Sequence, residues 1–180
     1  QYMKHGKADL SLTLPINKKS ISLSGFNFPG HTEMLGESFC SAPLMILFSG
    51  EVRVALVTVH EPIRNITNIL TNELIEIKYA SFEKSLRKDF GIKKPRIAVL
   101  GLNPHAGENG NIGYEEVSFI NDTIEKLNIK HSDSIAEGPF PADGFFGFGH
   151  YKNYDGILAM YHDQGLIPLK LLASGGGVNF

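Results

Sequence analysis

The sequence predicts an α/β fold, with a mixed, largely parallel sheet flanked by helices. Three observations carry that reading. Apolar runs of strand length at 52–59, 97–100 and 157–161 alternate with stretches whose apolar residues recur at helical spacing, the layout of strand–helix units. Residues 43–49 and 52–59 are separated only by Gly50 and Glu51, a hairpin signal that adds an antiparallel component. Each of three runs also stops at a histidine: ALVTVHEP at His60, RIAVLGLNPH at His105 and GILAMYHDQG at His162.

In chain order, 8–14 reads as a short strand leading through Pro15 into the loop INKKS, where Lys18 is either solvated or a contact for an anion. GFNFPG (25–30) is a turn-rich approach to a helix over 31–39, with Thr32 or a neighbour as its cap. His31 and Thr32 there offer an imidazole, a hydroxyl and free backbone N–H groups to an anion, or serve as ordinary capping residues. After the hairpin, Pro62 suits the first turn of a helix. Ile63, Ile66, Ile69, Leu70 and Leu74 then follow at helical spacing. A second helical piece over 79–90 ends at Gly91, and its KSLRKDF face reads as solvated surface.

Beyond the strand at 97–100, Asn103-Pro104 makes a turn, and glycines follow at Gly107, Gly110 and Gly113. Glu115 and Glu116 open a helix over 114–128, where acidic residues favour the positive end of the dipole. Val117, Ile120, Ile124 and Leu127 lie on one face of that helix. GPFPADGFFGFG (138–149) is too rich in Gly, Pro and Phe for regular structure, and reads as an active-site loop or a connector with Asp143 as its only charge. The strand at 157–161 leads through HDQG and Pro168 to Lys170 and a glycine run ending at Asn179.

The chain of 180 residues, with 42% hydrophobic content, is long enough for one domain or two small lobes. Its 17 basic and 19 acidic residues leave a net charge of −2, and no basic cluster marks a nucleic-acid partner. Cys40 is the only cysteine, which excludes an internal disulfide and fits a cytoplasmic location. The longest apolar stretch, APLMILF, is too short to cross a membrane. The chain opens at QYMKHGKADL and closes at GGGVNF, and it reads as part of a longer protein. Neither a P-loop nor a GxGxxG occurs, so no nucleotide cofactor follows from a local motif.

Ligands of open α/β sheets bind beyond the carboxyl ends of the strands. His60, His105 and His162, each just past a strand, can therefore converge as an open site for Zn²⁺ or a similar divalent ion. The plainer alternative is that each is a surface or hydrogen-bonded histidine. Asp143 and Asp163 are candidates for proton transfer or for orienting a ligand imidazole.

NPHAGENG with its following G-x-E-E, and MYHDQG downstream, resemble the 4-hydroxythreonine-4-phosphate dehydrogenase family of vitamin B6 biosynthesis. LPINK, FPGHTE, GPFPAD and GVN match in the same order over nearly the whole chain. The resemblance implies the isocitrate/isopropylmalate dehydrogenase-like fold. It also implies NAD(P)-dependent oxidation of 4-phosphooxy-L-threonine to a β-keto acid that decarboxylates to 3-amino-2-oxopropyl phosphate. It assigns a divalent metal (zinc, magnesium or cobalt) to His60, His105 and His162, and substrate contacts to His31, Thr32, Lys170 and Asn179.

The family pattern further implies a homodimer with the active site at the interface, the third histidine coming from the partner, so that His162 looks remote within one subunit. Residues 1–180 would be the metal- and substrate-binding region of a larger two-lobed enzyme, without its N-terminal portion and C-terminal segment. Gly144 stands where the family usually has Thr, which loosens the assignment of Asp143. Two rival readings are a dehydrogenase of another phosphorylated hydroxy acid and a metal-dependent hydrolase using the same three histidines.

Overall fold

The computed structural model describes residues 3, 5–7, 11, 13, 28, 31–39, 43–50, 52–173 and 176–180, with the side chains of 31–33 left out. Most of the expected strand at 8–14, together with Lys18 and Cys40, lies outside the described residues. The chain forms two compact units, Gln1–Pro43 and Leu44–Phe180. In the first, helix α1 (His31–Phe39) occupies the span expected of it. The second unit carries His60, His105 and His162.

That unit is built on a six-stranded sheet of order β4-β3-β5-β2-β1-β6. Its strands are β1 (Ile46–Ser49), β2 (Val52–Leu56), β3 (Arg96–Leu100), β4 (Ile135–Phe140), β5 (Gly156–Ala159) and β6 (Val178–Asn179). Strands β2, β5, β3 and β4 are parallel. β1 pairs antiparallel with β2, Ser49 opposite Val52, and also with β6, which the sequence pattern did not reveal. The sheet is therefore mixed and largely parallel, as expected.

Alternation along the strands feeds two cores. Ala55, Val57, Ile97, Val99, Leu158 and Met160 face one side, where α2 (Ile63–Ile69), α3 (Asn72–Lys88) and α4 (Asn121–Lys130) and their flanks contribute Leu70, Ile75, Phe82, Leu86, Ile124 and Leu127. Val54, Leu56, Ala98, Leu100, Ile157 and Ala159 face the other side, with Phe145 of α5 (Ala142–Gly147) and Leu166 and Leu169 of α6 (His162–Leu172). Strands covered on both faces read as continuous apolar runs, which is why the sequence exposes them so clearly.

Three expectations are corrected. The break between the first two helices falls at Leu70–Thr71 rather than near Tyr79, because the Thr71 hydroxyl accepts the Leu74 N–H at 3.2 Å and starts α3 there. The stretch 138–149 is largely regular: its beginning completes β4 and its middle forms α5. Gly138 is required in that strand, because a Cβ there would lie 2.2 Å from the Val99 carbonyl oxygen of β3. Finally, Val117 is not on the buried face of its helix; it is 48% exposed, and Glu116 is buried in its stead.

Candidate active site

Because β2, β5 and β3 are adjacent and parallel, their carboxyl ends emerge along one edge of the sheet. His60, His162 and His105 follow those three ends. A hydrogen-bond clamp fixes the edge. The Thr58 hydroxyl donates to the Met160 carbonyl at 2.7 Å. The buried Gln164 side chain accepts the Met160 N–H at 2.7 Å and donates to the Gly101 carbonyl at 2.6 Å. One amide thus ties the end of β5 to the end of β3, while Thr58 ties β5 to β2.

The structure brings His60 and His162 together, with ring centroids 5.9 Å apart and planes inclined by 39°. His162 Nδ1 lies 2.7 Å from Asp163 Oδ1, which holds the ring and leaves Nε2 as the nitrogen available to a ligand. Both rings line a cavity of about 230 Å³ with Glu61, Ile63, Tyr161 and Asp163. A neighbouring cavity of about 300 Å³ is lined by Asp143, Tyr161, Asp163 and Gln164, with Phe146 and Ile167 as its apolar wall. Asp143 and Asp163 therefore share one cavity, and Asp163 reaches both.

His105 is not in the lining of the His60–His162 cavity. Among the described residues, no group of three or more His, Cys, Asp or Glu side chains is gathered as a metal cluster. Within the chain His162 is not remote from His60, their ring centroids lying 5.9 Å apart. Lys170 is exposed in the last turn of α6, and Asn179 is exposed on β6 opposite Leu47. Neither lies in the lining of the two cavities. His31 and Thr32 open α1, and their side chains are outside the described residues.

The loop that presents His105 is a left-handed turn. His105, Ala106, Gly107, Glu108 and Asn109 have φ of 53°, 49°, 76°, 44° and 57°. Four of the five are not glycine, a conformation costing L-residues roughly 1–2 kcal/mol each. Glu116 braces this turn. It is 1% exposed, and its carboxylate accepts the Leu102 N–H at 2.7 Å, the Asn103 N–H at 2.8 Å and the Asn103 side-chain amide at 2.9 Å. Gly107 lies so close that a Cβ would stand 2.5 Å from Glu116 Oε2 and 2.8 Å from the Gly113 carbonyl oxygen.

Sequence reasoning missed Thr58, Asn103, Glu116 and Gln164 as builders of this edge. One signal was present: Glu116 is in helical register with Ile120, Ile124 and Leu127, all of which are buried.

Compared with known proteins, the chain matches the family model of the pyridoxal phosphate biosynthetic protein PdxA over residues 1–180. The chain belongs to this family. A PdxA relative from Bacteroides thetaiotaomicron, named 4-hydroxythreonine-4-phosphate dehydrogenase, is 49% identical over 179 residues, covering 98% of this chain and 49% of the relative. The crystal structure of 4-hydroxythreonine-4-phosphate dehydrogenase from Klebsiella pneumoniae superposes with a TM-score of 0.81 at 37% identity, covering 92% of this chain and 50% of that one. A terephthalate 1,2-cis-dihydrodiol dehydrogenase from Burkholderia xenovorans superposes with a TM-score of 0.80 at 27% identity, covering 99% and 56%. The chain thus spans about half the length of the PdxA dehydrogenases it matches, and the mixed α/β fold is theirs. Among the described residues, no helix is long and apolar enough to cross a membrane.

Proposed function

We propose that this chain is the metal- and substrate-binding part of an NAD(P)-dependent 4-hydroxythreonine-4-phosphate dehydrogenase. The reaction would oxidise the secondary alcohol of 4-phosphooxy-L-threonine, hydride passing to NAD⁺ or NADP⁺ and the hydroxyl proton to a base. The β-keto acid so formed loses CO₂ to give 3-amino-2-oxopropyl phosphate. The observation that carries the reading is the His60–His162 pair beside Asp163 at the carboxyl edge of the sheet, in a chain of the PdxA family.

The donor set fits a divalent metal such as zinc, magnesium or cobalt. Two imidazoles 5.9 Å apart are close enough to address one ion, and a carboxylate on the second nitrogen of a ligand histidine is the usual orienting partner. His60, His105 and His162 would hold the ion, with one histidine supplied across a homodimer interface. When bound, it supplies Lewis acidity toward the alcohol and later the ketone. Asp163 keeps His162 in the tautomer with Nε2 available. Asp143, on the neighbouring cavity wall, would take or return a proton. Lys170 would meet the substrate phosphate, with His31, Thr32 and Asn179 at its other polar groups.

The test is reduction of NAD⁺ or NADP⁺ with 4-phosphooxy-L-threonine and added Zn²⁺, Mg²⁺ or Co²⁺, using the full-length protein. Phosphate release without cofactor reduction would indicate the hydrolase alternative and overturn the reading. A second reading, dehydrogenation of a different hydroxylated substrate, is favoured by the likeness to the dihydrodiol dehydrogenase. Cofactor reduction with another phosphorylated hydroxy acid or a cyclic diol, and none with 4-phosphooxy-L-threonine, would select it.

A further inference from the structure

Five consecutive residues with positive φ, four of them not glycine, carry His105 away from the end of β3. Such a run persists only where the surroundings over-determine it. The turn's own bonds are short-range: Ala106 N–H to the Asn103 carbonyl at 3.1 Å, Asn111 N–H to Glu108 at 3.2 Å and Ile112 N–H to Gly107 at 3.1 Å. These close the turn, but they do not set where it stands relative to the sheet.

Glu116 does. It opens the π-helical turn Glu116–Ile120 that leads into α4, and its carboxylate grips the chain at Leu102 and Asn103, immediately before the left-handed turn. It also abuts Gly107, just after His105, where no side chain would fit. His105 is therefore pinned on both sides by one buried group. An apolar side chain could fill this space, but it would leave the Leu102 and Asn103 amides unpaired.

We propose that Glu116 is the positioning residue of His105: it makes no contact with substrate or metal, and it sets the imidazole's place at the sheet edge through the braced turn. This rests on the reading of His105 as a metal ligand. The role differs from generic fold support in a testable way, because it should be exerted only through His105.

The experiment is a Co²⁺ titration of the full chain, read by its visible absorption, for the parent, Glu116→Gln, His105→Ala and the double variant. Glutamine keeps the size and the carbonyl acceptor, but it turns an N–H toward the Asn103 amide. The expected result is a loss of Co²⁺ affinity of about 10- to 100-fold in Glu116→Gln, as for other groups that orient a ligand. The double variant should bind no more weakly than His105→Ala alone.

An unchanged affinity in Glu116→Gln beside a weakened His105→Ala overturns the positioning role and leaves the metal reading intact. Additive losses in the double variant also overturn it, since Glu116 would then act elsewhere. If His105→Ala itself binds Co²⁺ like the parent, the three-histidine reading fails and this role fails with it. Should Glu116→Gln not fold, Asn103→Ala, which removes one of the three bonds to Glu116 and one to Glu115, is judged by the same non-additivity with His105→Ala.

Discussion

Replacing Gln164 by Leu should cost stability well beyond what its single side chain suggests. The substitution keeps the volume roughly constant, so the loss is polar. The Met160 N–H loses its acceptor at 2.7 Å and the Gly101 carbonyl its donor at 2.6 Å, both on buried residues. A buried group left unpaired costs about 1–3 kcal/mol; with the N–H near the upper end and the carbonyl near the lower, about 2–4 kcal/mol is expected in all. For a chain of this size each kcal/mol moves Tm by about 2–4 °C, so a drop of about 4–16 °C should follow. Thermal unfolding by circular dichroism, compared with Gln164→Glu, is the assay. Glutamate restores the acceptor for Met160 but sets a carboxylate against the Gly101 carbonyl, so it should not rescue. A Gln164→Leu variant melting at the temperature of the parent would refute the clamp as a structural element.

Gly107→Ala should destabilise by about 1–3 kcal/mol through overpacking, since its Cβ would stand 2.5 Å from Glu116 Oε2 at a φ of +76°; chemical denaturation checks it. Asp163→Ala should weaken metal binding about 10- to 100-fold by releasing the His162 ring, with little change in Tm; isothermal titration with Zn²⁺ measures it. Tyr79, pushed up to about 12 by burial despite its hydrogen bond to Ser134, has a folded pKa above its unfolded value. Its contribution is thus fully present below about pH 10 and is lost as the pH rises through about 12. Tyr79→Phe should flatten part of the alkaline limb of stability against pH, to which Tyr154, also raised to about 12, contributes as well. His131→Ala should lower stability by about 1–3 kcal/mol, because the buried Glu83 side chain loses its partner at 2.6 Å, with Arg87 remaining at 3.7 Å.

The parts of the fold that were legible are those where one physical rule acted alone. Strands β2, β3 and β5 are largely buried on both faces, where apolar residues are the ones that fit. The hairpin at Gly50 follows from two apolar runs with no room for any other connection, and Gly50 takes a φ of +56° there. Strand β4 was hidden because Gly138 and Pro139 read as loop residues. Its glycine lets β4 approach the Val99 carbonyl, a constraint set by a neighbour distant in sequence. The short edge strand β6, with only Val178 and Asn179, carries no pattern at all.

The site divides along the same line. Sequence position alone located His60, His105 and His162 at strand ends, and parallel pairing of neighbouring strands puts those ends on one edge. Distances between rings depend on how each chain leaves its strand. His162 opens a helix directly and meets His60, whereas His105 enters a left-handed turn whose course depends on Glu116. A carboxylate at a helix start is ordinarily explained by the helix dipole, and that explanation masked its burial. The register with Ile120, Ile124 and Leu127 points the other way. A charge on an apolar stripe must be satisfied inside the protein, and the nearest donors in need of a partner are the amides that follow β3. Reading polar residues by the face they occupy, rather than by their type, marks Glu116 as a buried carboxylate from the sequence alone.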